Sequence, residues 1–304
     1  MSGERLNRLP PIPSDEQKPK EDTALSPVDS ILLRTKEVAV LPQVVFKIME
    51  MTSSVDSSSR MLEQEIVVDP GFSARILAQA NSAYYALPRK VTSIREAVAF
   101  LGYKAVRQLS MTIGVFDMFV GKTDKGSMRR RAWWRHSLDT AVCCRFLAEK
   151  LGKGSADQAY TCALLHLLGK TLLDRYDSDE YSKVEALAEK GAVDRDAEQA
   201  VFKCDHVEVC QTAATRWRFP EVLIEGVSYI DEPANDDPYC DLKAMVSVSN
   251  KVAYMVIAGK GLKDWDTDSI PEWAVSILGL NKERLTLLID ESTAAVAAEA
   301  HMSF

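Results

Sequence analysis

The stretch Ala163-Leu164-Leu165-His166-Leu167-Leu168-Gly169-Lys170 constrains this chain more than any other. Apolar residues run without a break on both sides of one histidine, and a glycine and a lysine follow. Such a segment is buried all round, and its length and spacing predict a helix with one polar side chain turned inward. A second histidine, His136, falls on the preceding helical stretch, and a third, His206, on a later one. Histidines meeting from separate helices are a metal-site pattern, but hydrolytic chemistry needs carboxylates beside them. The residue after His166 is Leu167.

With 304 residues, 46% of them hydrophobic, the chain can bury a large core. Glycine and proline are sparse, and apolar residues recur at helical spacing, so the fold is expected to be all-α. A net charge of -7 argues against a general nucleic-acid coat, since phosphate binding needs a basic surface. No apolar run approaches the ~20 residues of a membrane span, and the N-terminus has no signal-peptide core. Cys143, Cys144, Cys162, Cys204, Cys210 and Cys240 form no CxxC pair, and most lie in apolar helices. A reduced, cytoplasmic protein is expected.

Residues 1–27 are charged and proline-containing and read as a disordered tail. Two helical subdomains are expected after it, over 28–120 and 121–304. Leu41-Pro42 starts a helix with Val45, Ile48 and Met49 inward. Asp69-Pro70 starts another, with Phe72, Ile76, Leu77 and Ala80 inward. Ser93 and Glu96 form a capping box, and Gly102 stops that helix. Two short helices meeting at Gly102 are compatible with a helix-turn-helix or with ordinary packing. Polar Gly121 to Ser127 marks the boundary. Beyond it, helices are expected over 129–151, 156–176, 178–190, 194–203, 205–218, 242–258, 271–278 and 282–300.

The ordered set of Leu41-Pro42, Asp69-Pro70, Asn81-Ser82-Ala83-Tyr84-Tyr85, Ile94-Arg95-Glu96-Ala97-Val98 and Leu101-Gly102 resembles the first half of an HDOD domain. Trp134-Arg135-His136-Ser137, Ala163 to Lys170, His206 and Trp217 to Pro220 follow in that family's order. The resemblance covers about residues 28 to 300. It implies a bacterial regulatory protein related to HD-type metal phosphohydrolases but without their chemistry, an HD-like bundle with an N-terminal helical subdomain. It also implies a signalling protein as partner.

Set against an active HD pattern, His136 matches the first histidine, His166 the second and His206 a third. Leu167 stands where the pattern has its paired aspartate, and Asn250 where it has its late aspartate. Asp231 falls where paired histidines are usual. The expected function is therefore a non-catalytic module, with no metal and no cofactor. A small ligand or a partner would use the old pocket of His136, His166, Lys170, His206, Asp231 and Asn250. The competing reading makes these histidines hydrogen-bonded core residues, and Lys170 an exposed lysine at a helix end. A residual phosphohydrolase acting on a nucleotide or cyclic dinucleotide is a further alternative.

Arg129, Arg130, Arg131, Trp133 and Arg135 form the single basic and aromatic cluster. It is read as a solvated helix face or, alternatively, as a nucleotide or single-strand site.

Overall fold

In a computed structural model the described residues are 25–35, 43–52, 58–82, 84–120, 124–234, 236–257 and 270–299. Among them the regular structure is helical throughout, as expected. The first unit comprises α2 (Gln43–Thr52), α3 (Ser59–Val67), α4 (Pro70–Ala80), α5 (Ile94–Leu101) and α6 (Tyr103–Val120). The second is built on α7 (Ser127–Leu151), α8 (Ala156–Leu165), α9 (Leu168–Tyr176), α10 (Ser178–Ala188), α11 (Asp194–Phe202), α12 (His206–Arg216), α13 (Glu221–Gly226) and α14 (Cys240–Ile257). Two more helices, α15 (Glu272–Ile277) and α16 (Lys282–Glu299), follow it. The tail over residues 1–24, Leu41-Pro42, Ala83 and Gly121 to Thr123 lie outside the described residues, as does the side chain of Met49.

Local chemistry sets the helix ends. Asp69 Oδ1 accepts from Phe72 N–H at 2.9 Å, and Pro70 occupies the first helical turn of α4. Ser93 caps α5 at 3.1 Å, but Glu96 reaches back to Thr92 N–H at 2.7 Å rather than to Ser93. The expected capping box is thus open by one residue. A closed one occurs at α12, where Asp205 and Glu208 serve each other's backbone. Gly102 ends α5 at φ +85°, a left-handed conformation that favours glycine.

The helix α6 joins the two units, packing on α2 to α5 and on α7, α8 and α9. Val106, Leu109 and Ile113 are buried on it and Phe116 half-buried, so the Gly102 corner is ordinary core packing. Trp134 of α7 seals the joint, edge-on to Phe116 and Phe119 at 5.4 and 5.9 Å. At the centre of the second unit, α7 is surrounded by α6, α8, α14 and α16. One element departs from chain order. The first helix, α1 (Pro27–Arg34), has its main packing on α9 and α12 of the second unit.

The single helix expected over 156–176 is two helices broken at His166-Leu167. The break has a physical cause. His166 Nδ1–H donates to the Ala163 carbonyl at 2.5 Å, taking an acceptor that the helix would otherwise use. The kink swings α9 onto α12, with Gly169 at the crossing. A Cβ there would collide with the His206 backbone carbonyl, so the two helices approach this closely only with glycine.

Candidate functional site

Two histidine centres lie side by side in the second unit. The first joins α7, the α8–α9 break and α14. His136 and His166 are buried, with ring centroids 5.5 Å apart. Asn250 Oδ1 is 2.7 Å from His136 Nε2 and 3.2 Å from His166 Nε2. The Ala163 carbonyl holds the proton of His166 on Nδ1, so its Nε2 offers a lone pair. An amide turned by half a rotation presents two hydrogens to the two ring nitrogens. In either orientation one neutral amide stands between them. Burial pushes the His136 pKa down to about 4, against the Asn250 hydrogen bond and with help from the Lys170 charge. Burial and the neighbouring His136 hold His166 well below the usual range. Both rings are neutral at pH 7.

An HD-type metal would need carboxylates here. Leu167 is a buried aliphatic side chain, and Asn250 supplies an uncharged amide already committed to both rings. Among the described residues no group of three His, Cys, Asp or Glu side chains is placed to hold a metal ion. The donor set does not fit a hard divalent cation.

The second centre is built by α11 and α12. Glu198 is fully buried and accepts three hydrogen bonds. Tyr181 O–H donates to Oε1 at 2.9 Å; His206 N–H and Nδ1–H donate to Oε2 at 2.9 and 2.6 Å. This fixes the His206 ring and leaves its Nε2 on the far side. That atom is buried and has no hydrogen-bond partner among the described residues. Beside it lies a cavity of about 470 Å³, walled by Lys170, Asp194, His206, Tyr229, Asn250 and Lys251 among others.

Lys170 is buried and ion-paired with Asp194, which corrects its reading as an exposed helix-end lysine. Burial opposes its charge, but Tyr254, Asp194 and Glu198 together raise its pKa. Asp231 does not join the cavity. It is exposed and accepts from Arg195 at 2.7 and 2.9 Å.

The arginine cluster is not one solvated face. Arg130 is fully buried, 2.5 Å from Asp174 and 2.6 Å from Asp124. Arg129 pairs with Asp174 and, at 2.5 Å, with Glu185, and Arg135 with Asp139 at 2.8 Å. Trp133 packs on Tyr181, centroids 4.9 Å apart. Only Arg131 of this set is exposed. The carboxylates lie 44 to 56 residues from the first two arginines or in the preceding loop, so the run of basic letters concealed an internal network.

Sequence reading missed Glu198, Asp194 and Asp174. The first is the polar position on the inner side of α11 and the last sits among leucines on α9; a lone acid on an apolar face was the available signal.

An all-helical bundle with buried histidines drawn together from separate helices defines a class: helical proteins of HD-related fold. The HDOD domain model matches residues 38–233, and the chain belongs to the HDOD family. An HDOD domain protein from Geobacter sulfurreducens has the same fold, with 25% identity and TM-score 0.70, over 89% of this chain and 97% of that one. A Shewanella amazonensis protein provisionally termed a phosphohydrolase gives 22% identity and TM-score 0.66 over 89% and 97% of the two chains. A Treponema pallidum protein is 23% identical over 220 residues, 69% of this chain and 41% of the relative. The chain thus spans well under half the length of that curated relative. Among the described residues no helix is long and apolar enough to cross a membrane.

Proposed function

We propose that this chain is a bacterial, cytoplasmic regulatory module that acts through a separate signalling protein and a small ligand in the old pocket, without metal-dependent phosphoester hydrolysis. One observation carries the reading. The Asn250 amide stands between His136 Nε2 and His166 Nε2, the two nitrogens that a metal would need. A hard cation would have to displace that amide and settle among two neutral rings and Leu167, with no carboxylate to offset its charge. What the site retains is a rigid polar core beside a cavity, which suits recognition rather than bond cleavage. Nucleic-acid binding through Arg129 to Arg135 is not favoured, because Arg129, Arg130 and Arg135 are already paired with carboxylates.

The test is turnover of p-nitrophenyl phosphate and of cyclic dinucleotides, with Mn²⁺, Fe²⁺ and Zn²⁺ added in turn. The expected rate equals that of His166→Ala with every metal. Metal-stimulated turnover that disappears in His166→Ala overturns the reading.

A further inference from the structure

The cavity beside His206 has features that its place in an HD-like fold does not explain. Two helices begin on its wall, α9 after Leu167 and α11 after Val193, and neither has a side-chain cap. The first N–H groups of a helix and its dipole favour an anion. A helix start alone is not a site, but a second feature is independent of it. His206 is 2% exposed, lines the cavity, and among the described residues has its Nε2 unpartnered while Glu198 grips Nδ1. A buried polar atom without a partner is rare and calls for one.

The acidic groups on or behind the wall are occupied, and Asp196, in the first turn of α11, is exposed and does not line the cavity. Asp194 is tied to Lys170, and both Glu198 oxygens are taken by Tyr181 and His206. Arg195 is held by Asp205 and Asp231. Lys251 stands half-buried on the same wall. Tyr229 and Ile230 give the cavity an apolar side.

We propose that this cavity binds a small organic phosphate monoester, its head group at His206 Nε2, Lys251 and the start of α11, and its body against Tyr229 and Ile230. A monoester carries a proton that titrates near neutral pH. With its Nδ1–H held by Glu198, the imidazole offers the Nε2 lone pair and accepts from the P–OH of the monoprotonated ester. The volume of about 470 Å³ suits an organic ligand rather than a bare ion. The proposal rests on the regulatory reading for its purpose, but not for its test.

The experiment is calorimetric titration of the full chain in EDTA with phenyl phosphate, inorganic phosphate and benzoate. Phenyl phosphate should bind saturably, inorganic phosphate at least about tenfold more weakly, and benzoate not at all. Lys251→Met and His206→Asn should each weaken phenyl phosphate at least about tenfold, about 1.4 kcal/mol. Lys251 is half-buried on α14, so its variant keeps the fold even if His206→Asn does not. No saturable binding, or wild-type affinity in Lys251→Met, overturns the proposal. Equal affinity for inorganic phosphate removes the organic body, and equal affinity for benzoate removes the phosphate. Chelation separates the two readings: phenyl phosphate bound in EDTA but cleaved when metal is added overturns the regulatory reading and leaves this one standing.

Discussion

Two histidine centres a few residues apart in space have opposite electrostatics. Among the described residues the hydrogen-bond partners of the His136 and His166 rings are neutral: an amide, a backbone carbonyl and the Thr140 hydroxyl. Around His206 the partners are charged, with Glu198 behind the ring and the Lys170–Asp194 pair beside it. The difference shows what a carboxylate partner does for a buried imidazole. Rings without a counter-charge are pushed toward the neutral form by burial; the ring that meets a carboxylate is fixed in direction by it.

Contact between the centres depends on Gly169, and the largest effect is expected there. In Gly169→Ala the new Cβ meets the His206 carbonyl, and backbone cannot yield as a side chain would. Separating α9 from α12 disturbs both centres, and a loss of at least about 5 kcal/mol is expected. Since a domain has only about 5–15 kcal/mol in total, circular dichroism melts of this variant should show no cooperative transition at 37 °C. A melt like that of the wild type would mean that the crossing is looser than described.

Glu198→Ala comes next. It strands Tyr181 O–H, His206 N–H and His206 Nδ1–H in a buried site. A loss of about 4 kcal/mol in urea unfolding is expected. Asn250→Ala, by the same measurement, should cost about 2 kcal/mol, because it removes one amide shared by two rings rather than the acceptor of three buried hydrogen bonds. Equal losses would erase the distinction between the centres.

How far these centres could be read from sequence follows the same division. The all-helical fold, most helix positions and the family order were legible because apolar periodicity and caps such as Asp69-Pro70 are local signals. The grouping of His136, His166 and Asn250 in one place was also legible, and the structure brings the three side chains together. The break at His166 was not: a helix-period pattern of leucines cannot show that an imidazole will take the Ala163 carbonyl. The pairing of Lys170 with Asp194, and of Arg129 and Arg130 with Asp174, joins residues 24 to 45 positions apart. Charge runs in sequence say nothing about such partners, which is why the arginines read as a surface and Lys170 as solvent-exposed. The placement of α1 against α9 and α12, fixed partly by Asp29 and Arg216, is a long-range choice of the same kind.

The neutral centre should show itself in acid. His136 has a folded pKa of about 4 against an ordinary 6.5. Between these values the unfolded chain binds a proton that the folded chain refuses, so stability rises with pH across the window and is lost as pH falls from about 6.5 to 4. At about 1.4 kcal/mol per unit, His136 contributes a decline of about 3 kcal/mol. Urea midpoints measured every half unit should fall accordingly, and His136→Gln should flatten the slope by that amount. An unchanged slope would place the titration elsewhere, with His166 or the carboxylates.

The smallest effect is the most informative about coupling. Lys170 pairs with Asp194 beside the charged centre, yet its ammonium also helps to depress His136 in the neutral one. Lys170→Met keeps the buried stem and removes the charge. Asp194 is 44% exposed at its side chain and can be rehydrated, so only about 1 kcal/mol of stability should be lost. His136 should then titrate higher, by a few tenths of a unit on the scale of screened pair interactions, moving the acid limb of the stability profile with it. The ring resonances of His136 by NMR report that shift directly. A change in stability with no movement of His136 would show two independent centres; movement in the expected direction makes Lys170 the electrostatic link through which an occupant of the cavity is felt in the core.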